Sequence, residues 1–252
     1  MPRAFVDAPL FPGARVTLTG EDGHHFSRVL RARPGEQLAL ASGGRAHLAE
    51  VVAVDARQGW VEVVVGALLP SSEPRRPVYL VQGLAKGDKI EAVIQHNTEA
   101  GAAGFAVLAA ARSVVRLDGR RAEERLIRWR RIAREAASQA HRDAIPEVAY
   151  ASGVDEVMRW LAARSVRRVF LLDEEEVACG LCQALEDPAT GGVDGPIAIA
   201  IGPEGGWDDA ERAGFLAHGA APVTLGRRIL RTETAGLAAL AAILYHDGEF
   251  RR

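Results

Sequence analysis

The 252-residue chain predicts an α/β domain with a mainly parallel sheet, preceded by a small all-β module. Three observations carry that prediction. Up to about residue 70, short alternating runs recur between turn signals, the pattern of half-buried strands. A Pro-rich segment then breaks the rhythm. From residue 78, apolar runs alternate with stretches of helical spacing, and a βαβα alternation implies parallel strands with helices on both faces.

In the first module the runs are Arg15–Leu18, 37–41, 46–54 and 60–65, separated by Pro12-Gly13, Pro34-Gly35 and Gly43-Gly44. One helix is predicted over 21–30. It carries His24 and His25, which as helix neighbours point about 100° apart and cannot face one metal; no metal site is expected. Arg28 and Arg31, three apart, would share a helix face with Arg33 just beyond. Such a cluster suits either a small phosphate-contacting patch or an ordinary solvated face. In the segment 69–77, three prolines with serines resist both helix and sheet ladder. The domain boundary is therefore placed at 71–77, giving domains 1–70 and 78–252.

In the second domain, 78–84 is a strand and Lys86-Gly87-Asp88-Lys89 a turn. Ile90, Val93, Ile94 and Asn97 follow helical spacing, and Gly101 ends that helix. Residues 104–110 form the next strand. Glu99–Gly104 is not a dinucleotide fingerprint, because it follows a helix and lacks the central glycine. A long helix is predicted over 122–142, with Leu126, Trp129, Ala133, Ala136 and Ala140 on one face. Seven arginines lie between Arg120 and Arg134. They suit a solvated face balanced by Glu123, Glu124 and Glu135, or an RNA-facing surface. A helix over 154–163 precedes the strand Arg168–Leu172, which ends in Asp173. Cys179 and Cys182 follow Glu174-Glu175-Glu176, whose charge disfavours thiolate, and no second pair completes a zinc site; two small apolar residues on one helix face are expected. A variable loop spans 187–195, and a helix over 236–245 closes the chain.

Composition narrows the class further. Hydrophobic content of 48% and charged content of 25% suit an ordinary globular core. A formal net charge of −2 announces no nucleic-acid binder, so any RNA attraction must come from local patches. The opening MPRAFVDAPL has no signal-like apolar core, no run is long enough for a membrane span, and two cysteines suit a reducing compartment. A cytoplasmic location without membrane contact is expected.

The stretch 197–239 holds the chemistry. Two apolar runs, Ile197–Ile201 and 222–225, are each followed at once by glycine. Strand ends of this kind let a backbone approach a ligand closely, and two side by side make a pocket. Neither GxxxxGK[ST] nor GxGxxG is present, so ordinary phosphate loops are excluded. The segments IGPEGGW (201–207) and LGRRILRTETA (225–235) closely resemble the SPOUT-class 16S rRNA (uracil-N3)-methyltransferase family, and the resemblance extends over the whole chain.

That resemblance implies a PUA-like β-barrel over 1–70 that holds RNA, then a SPOUT domain with a C-terminal trefoil knot binding S-adenosylmethionine. Backbone groups of Leu172, Ile201, Gly202, Leu225 and Leu230 would contact adenine and ribose, with Gly205 and Gly206 leaving room. Leu171, Pro203 and Glu204 on one side, and Gly226, Ile229, Thr234 and Ala235 on the other, complete the implied cofactor set. The RNA-facing set is Arg3, Arg28, Arg31, Arg33, Lys86 and Arg142. A homodimer is implied, acting on 16S ribosomal RNA either free or within the small ribosomal subunit. The chain departs from the family at Ala100, where leucine is usual, and at His141, where glycine is usual; Gln139 and Arg142 match.

Methylation of uracil N3 is a one-step displacement that needs alignment and loss of the imide proton, not a protein nucleophile. Arg231 is expected to stabilise the developing uracil anion, while Glu204 or Glu233 orients the base or relays the proton. Glu204 could instead be a turn carboxylate bonding backbone amides. Thr232 and Thr234 are expected to cap the last helix. The competing functions are another SPOUT activity, on transfer RNA or a ribose 2′-oxygen, and a non-catalytic RNA-binding protein.

Overall fold

The structure, a computed structural model, describes residues 1–176, 178–187 and 195–251. The expected loop over 187–195 thus falls largely outside the described residues. The chain forms two compact units: residues 1–73 with 137–145, and residues 74–136 with 146 onward.

The first unit contains β1 (Arg3–Phe5), β2 (Arg15–Leu18), α1 (Gly20–His24), β3 (Gln37–Ser42), β4 (Arg45–Asp55) and β5 (Trp60–Leu68). They make a five-stranded sheet in the order β1-β3-β4-β5-β2, parallel at β1–β3 and antiparallel elsewhere. Two register shifts along β4–β5, at His47/Ala49 and Val51/Ala53, interrupt the ladder, and such bulges increase twist and curl a sheet. In β5 the alternation is explicit: Val61, Val63 and Val65 are buried against Leu38, Leu40, Val51 and Phe26 while their neighbours are half-buried. Gly43 and Gly44 both have positive φ (57° and 76°), as the tight β3–β4 hairpin requires.

The helix expected over 21–30 is replaced by α1 and a wider π-helical turn, His25–Val29, closed by Leu30 N–H donating to His25 O. Arg31 then takes a left-handed conformation, φ 53°. The helix has ended before Arg31, so Arg28 and Arg31 do not share a helix face. Arg28 donates from Nε to Ala56 O and from Nη2 to Arg57 O, both at 2.7 Å.

Arg3 and Arg142 require a second correction. The Arg3 side chain is 8% exposed and pairs with Asp143, which is 1% exposed and also accepts the Ser72 N–H. Arg142 is buried and pairs with Glu73, whose carboxylate also accepts the Asp143 and Ala144 N–H groups. Both guanidiniums are committed to carboxylates inside the first unit. They hold that unit together and do not face solvent.

The second unit begins with β6 (Val78–Gly83), α2 (Lys89–Ala100), β7 (Gly104–Leu108), α3 (Gly119–Gln139), β8 (Glu147–Ala151) and α4 (Val154–Ala162). It continues with β9 (Arg168–Leu172), α5 (Leu181–Glu186), β10 (Ile197–Ile201), α6 (Asp209–Ala217), β11 (Ala221–Val223) and α7 (Thr232–His246). The six strands run in the order β11-β9-β10-β6-β7-β8, and every pairing is parallel. The period of two divides them cleanly. Val81, Ala198 and Ala200 join α4 and α6 in a core with Val157, Leu161 and Phe215. Leu80 and Ile201 face the other way, onto α7 at Gly236.

α3 buries Trp129, Ala133 and Ala136, as its spacing requires. Its arginines are largely paired: Arg125 and Arg128 with Glu91, Arg120 with Glu124, Arg131 with Glu135. These pairs balance much of the positive charge on that face. Cys179 precedes Gly180, the N-cap of α5, so it does not share a helix face with Cys182; both thiols are free. No helix among the described residues is long and apolar enough to cross a membrane.

Candidate active site

Three strand ends meet at the C-terminal edge of the parallel sheet, where open α/β sheets bind ligands. β9 ends at Leu172-Asp173, β10 runs into 202–207, and β11 runs into 224–231. Together they enclose a cavity of about 410 Å³, a size suited to a small cofactor. Its apolar wall is Leu172, Ile201, Leu225, Ile229 and Leu230, with the Trp207 edge and Ala235.

The chain crosses itself to build this wall. Thr224 N–H donates to Cys179 O, and Leu181 N–H donates to Thr224 O, so the exit of β11 runs beside the exit of β9. The chain then reaches the end of β10, where the Thr232 hydroxyl donates to Gly202 O at 2.6 Å. From there α7 turns back to pack on β10, β6 and α2. Thr232 also accepts a hydrogen bond from Gln82 Nε2 at 2.8 Å. Its hydroxyl thus ties three segments together, and it is no helix cap: Arg231 is the N-cap residue, without a side-chain cap bond.

Close approach explains the loop glycines. A Cβ on Gly83 would lie 2.5 Å from both Pro203 N and Cδ, so β6 and the 202–207 turn can touch only without a side chain there. Gly206 has φ +68°, a conformation L side chains rarely adopt. Gly205 faces the Arg112 side chain, not the cavity, so it gives room to Arg112 and not to a ligand.

The backbone of 225–230 is the site's most telling feature. Apart from Gly226, which exchanges hydrogen bonds with the Thr224 hydroxyl, none of these residues has a backbone group bonded to another described residue. Unspent N–H and C=O groups lining a cavity are ready-made partners for a ligand's polar edge. On the opposite wall the Leu172 carbonyl accepts from Trp207 Nε1 at 3.2 Å, so that carbonyl already has a partner.

Charge is distributed in two groups. Asp173 is buried and pairs with Arg212 at 2.6 Å, with Glu174, Glu175 and Asp209 nearby on the lining. Across the cavity, Lys89 Nζ lies 3.1 Å from Glu204 and 3.2 Å from Glu233. Hydrogen bonding, first to Glu204 and then to Glu233, raises the Lys89 pKa above its ordinary value. Burial pushes the Glu204 carboxyl up, but its own N–H, the Lys89 ammonium and the Lys86 N–H outweigh that and hold it low. Glu233 is held low by its own N–H and by Lys89, against a burial effect. Arg228 and Arg231 line the cavity, exposed, with no hydrogen bond or ion pair from their guanidiniums to a described residue.

Of the residues expected to hold the cofactor, Leu172, Ile201, Gly202, Pro203, Glu204 and Gly206 line the cavity, as do Leu225, Gly226, Ile229, Leu230 and Ala235. Leu171 is fully buried behind the wall, and Thr234 is exposed outside it. Arg231 lines the cavity, and Glu233 reaches it through Lys89. Glu204 accepts the Lys86 N–H, as a turn carboxylate does, and stands on the cavity lining. Lys86 contributes its N–H to Glu204, and its side chain is exposed. Lys89, Arg112, Arg212 and Gln82 escaped the sequence reading as site residues, whereas Asp173 was read as the end of a strand bordering the site. For Lys89 there was a signal, since it is one of only two lysines and sits in the Lys-Gly-Asp-Lys turn.

Comparison with known proteins bears on this site. Residues 71–244 match the model of the RNA methyltransferase domain, more than half of the chain, and residues 18–64 match the RNA methyltransferase PUA domain. The chain belongs to the RNA methyltransferase family. Among its relatives, a ribosomal RNA small subunit methyltransferase E from Mycobacterium tuberculosis is 38% identical, over 95% of this chain and 89% of that one. The Bacillus subtilis protein of the same name is 34% identical, over 95% of this chain and 91% of that one. A crystal structure of the Neisseria gonorrhoeae enzyme of that name, bound to S-adenosyl methionine, superposes with a TM-score of 0.81 at 31% identity, covering 98% of each chain. The fold of this RNA methyltransferase is therefore the SPOUT α/β knot preceded by a PUA-like module. Its cavity has the unspent backbone and apolar wall that S-adenosylmethionine requires.

Proposed function

We propose that this chain methylates N3 of a uridine in 16S ribosomal RNA. The observation that carries the proposal is a cofactor-sized cavity with one wall of unspent backbone at 225–230, and with Arg231, unpaired among the described residues, at the same rim. S-adenosylmethionine, when bound, supplies an electrophilic methyl group on a sulfonium sulfur. Backbone groups of 225–230 bind its polar edge, and Leu172, Ile201, Leu225 and Leu230 shut water from it.

Arg231 places a cation beside the base, which lowers the pKa of the N3 imide proton and stabilises the anion that forms. Glu204 and Glu233, ionised at neutral pH, accept a hydrogen bond from N3–H and pass the proton to solvent. Their depressed pKa values make them weak bases, so their larger contribution is orientation.

The first unit acts as the RNA-holding module and the second as the methyltransferase domain. In the first unit, Arg28, Arg31 and Arg33 are exposed beside exposed Val29 and Leu30, a surface suited to phosphate and base contact. The enzyme works in the cytoplasm as a homodimer. Exposed Tyr245 and Phe250, at and beyond the end of α7, are apolar side chains that a second copy would cover. The test is mass spectrometry of nucleosides after incubating the protein and S-adenosylmethionine with unmodified 16S RNA or small subunits. 3-Methyluridine is expected. A 2′-O-methylated nucleoside, methylation of transfer RNA alone, or no calorimetric signal with S-adenosylmethionine would overturn the assignment.

A further inference from the structure

We infer that Lys89 is a positioning residue that clamps Glu204 and Glu233 into one ionised pair at the base-facing rim of the cavity. The inference rests on the function proposed above. Its basis is geometric: one ammonium stands 3.1 Å from Glu204 and 3.2 Å from Glu233, bridging a turn after β10 to the first turn of α7. These two segments are far apart in sequence and carry the two carboxylates assigned to the base. No other ammonium or guanidinium bonds either carboxylate among the described residues.

The surroundings explain why one lysine matters. Two carboxylates that share one ammonium within 3.2 Å are close enough to raise each other's pKa once that charge is gone. On α2 and the turn before it, the charged neighbours are Lys86, which gives its backbone N–H to Glu204, and Asp88. On α7 the neighbour is Arg231, which acts on Glu233 through its charge without an ion pair. Arg112 donates to Gly205 O beside Glu204, and Glu174 approaches Gly206. None of these replaces the bridge. The Lys89 side chain is about one-quarter exposed.

The test compares Lys89→Met and Lys89→Arg with the unaltered enzyme. With Lys89→Met, the acid limb of the kcat profile should move up by roughly one pH unit, while the Kd for S-adenosylmethionine changes less than threefold. Lys89→Arg, which keeps a cation at the bridge, should restore the limb to within about a third of that shift. Carbon-detected NMR titration of the Glu204 and Glu233 carboxyls should show the same upward move in Lys89→Met. That readout does not need RNA turnover, so it stands even if the proposed substrate is wrong. A pH-independent loss of kcat with an unmoved acid limb, or unmoved carboxyl titrations, would overturn the inference.

Discussion

Replacing Thr232 with valine removes one hydroxyl and little volume, yet that hydroxyl joins three segments of the site. It donates to Gly202 O at 2.6 Å and accepts from Gln82 Nε2 at 2.8 Å. Gln82 is 1% exposed; its Nε2 also donates to Gly83 O at 3.1 Å, but the N–H aimed at Thr232 cannot turn to water when that acceptor disappears. Gly202 lies on the cavity wall, where its carbonyl can be hydrated. The cost is therefore one net hydrogen bond plus one orphaned buried donor, about 2–4 kcal/mol together. For a protein of this size that lowers Tm by roughly 5–15 °C. Urea unfolding followed by tryptophan fluorescence is the assay. Trp129, Trp160 and Trp207 report the second unit, which need not unfold together with the first. Gln82→Leu with Thr232→Val should cost less than the sum of the single changes, because no unpaired amide donor remains at residue 82. Affinity for S-adenosylmethionine should fall about tenfold as the 202–207 turn loosens. Strict additivity, or a Thr232→Val cost below about 0.5 kcal/mol, would refute the account of this hydroxyl as a three-way tie.

Arg231→Ala should cut turnover by at least about 100-fold while S-adenosylmethionine affinity, measured by calorimetry, stays near normal, since the lost charge acts on the base. Asp143→Ala leaves the Arg3 guanidinium buried and unpaired and should destabilise the first unit by about 3–5 kcal/mol, read by hydrogen exchange of β1 and β3. Acid should weaken the second unit: Glu204 and Glu233 sit below the ordinary 4.5, so their stabilisation is complete above that value and is lost as pH falls through the folded values. The opposite holds for Lys89, raised above 10.5, whose contribution is present below that value and lost as pH rises through the folded one. Denaturant titrations across pH check both limbs.

The sequence by itself determined the two-part organisation, the parallel sheet and the location of the cavity. Alternating burial in 60–65 and the continuous apolar run Ile197–Ile201 are local properties of the chain, set by which side chains must leave water. The glycines at 202, 206 and 226 were legible for the same reason: each marks backbone that approaches a neighbour or turns with positive φ. What a side chain pairs with is another matter. Arg3 and Arg28 look alike in sequence, but Asp143 lies 140 residues from Arg3 and claims it, while Arg28 closes a turn at residues 56–57. Lys89 was visible as a rare lysine, but its bridge joins residues more than 100 positions away, and only the crossing of β10 and α7 brings them to one nitrogen. Thr232 reads as a helix cap until the crossing chain places Gly202 O within reach of its hydroxyl. Ion pairs and buried hydrogen bonds depend on distances across the fold. Hydrophobic period is written along the chain, but partners are chosen only when the chain closes on itself.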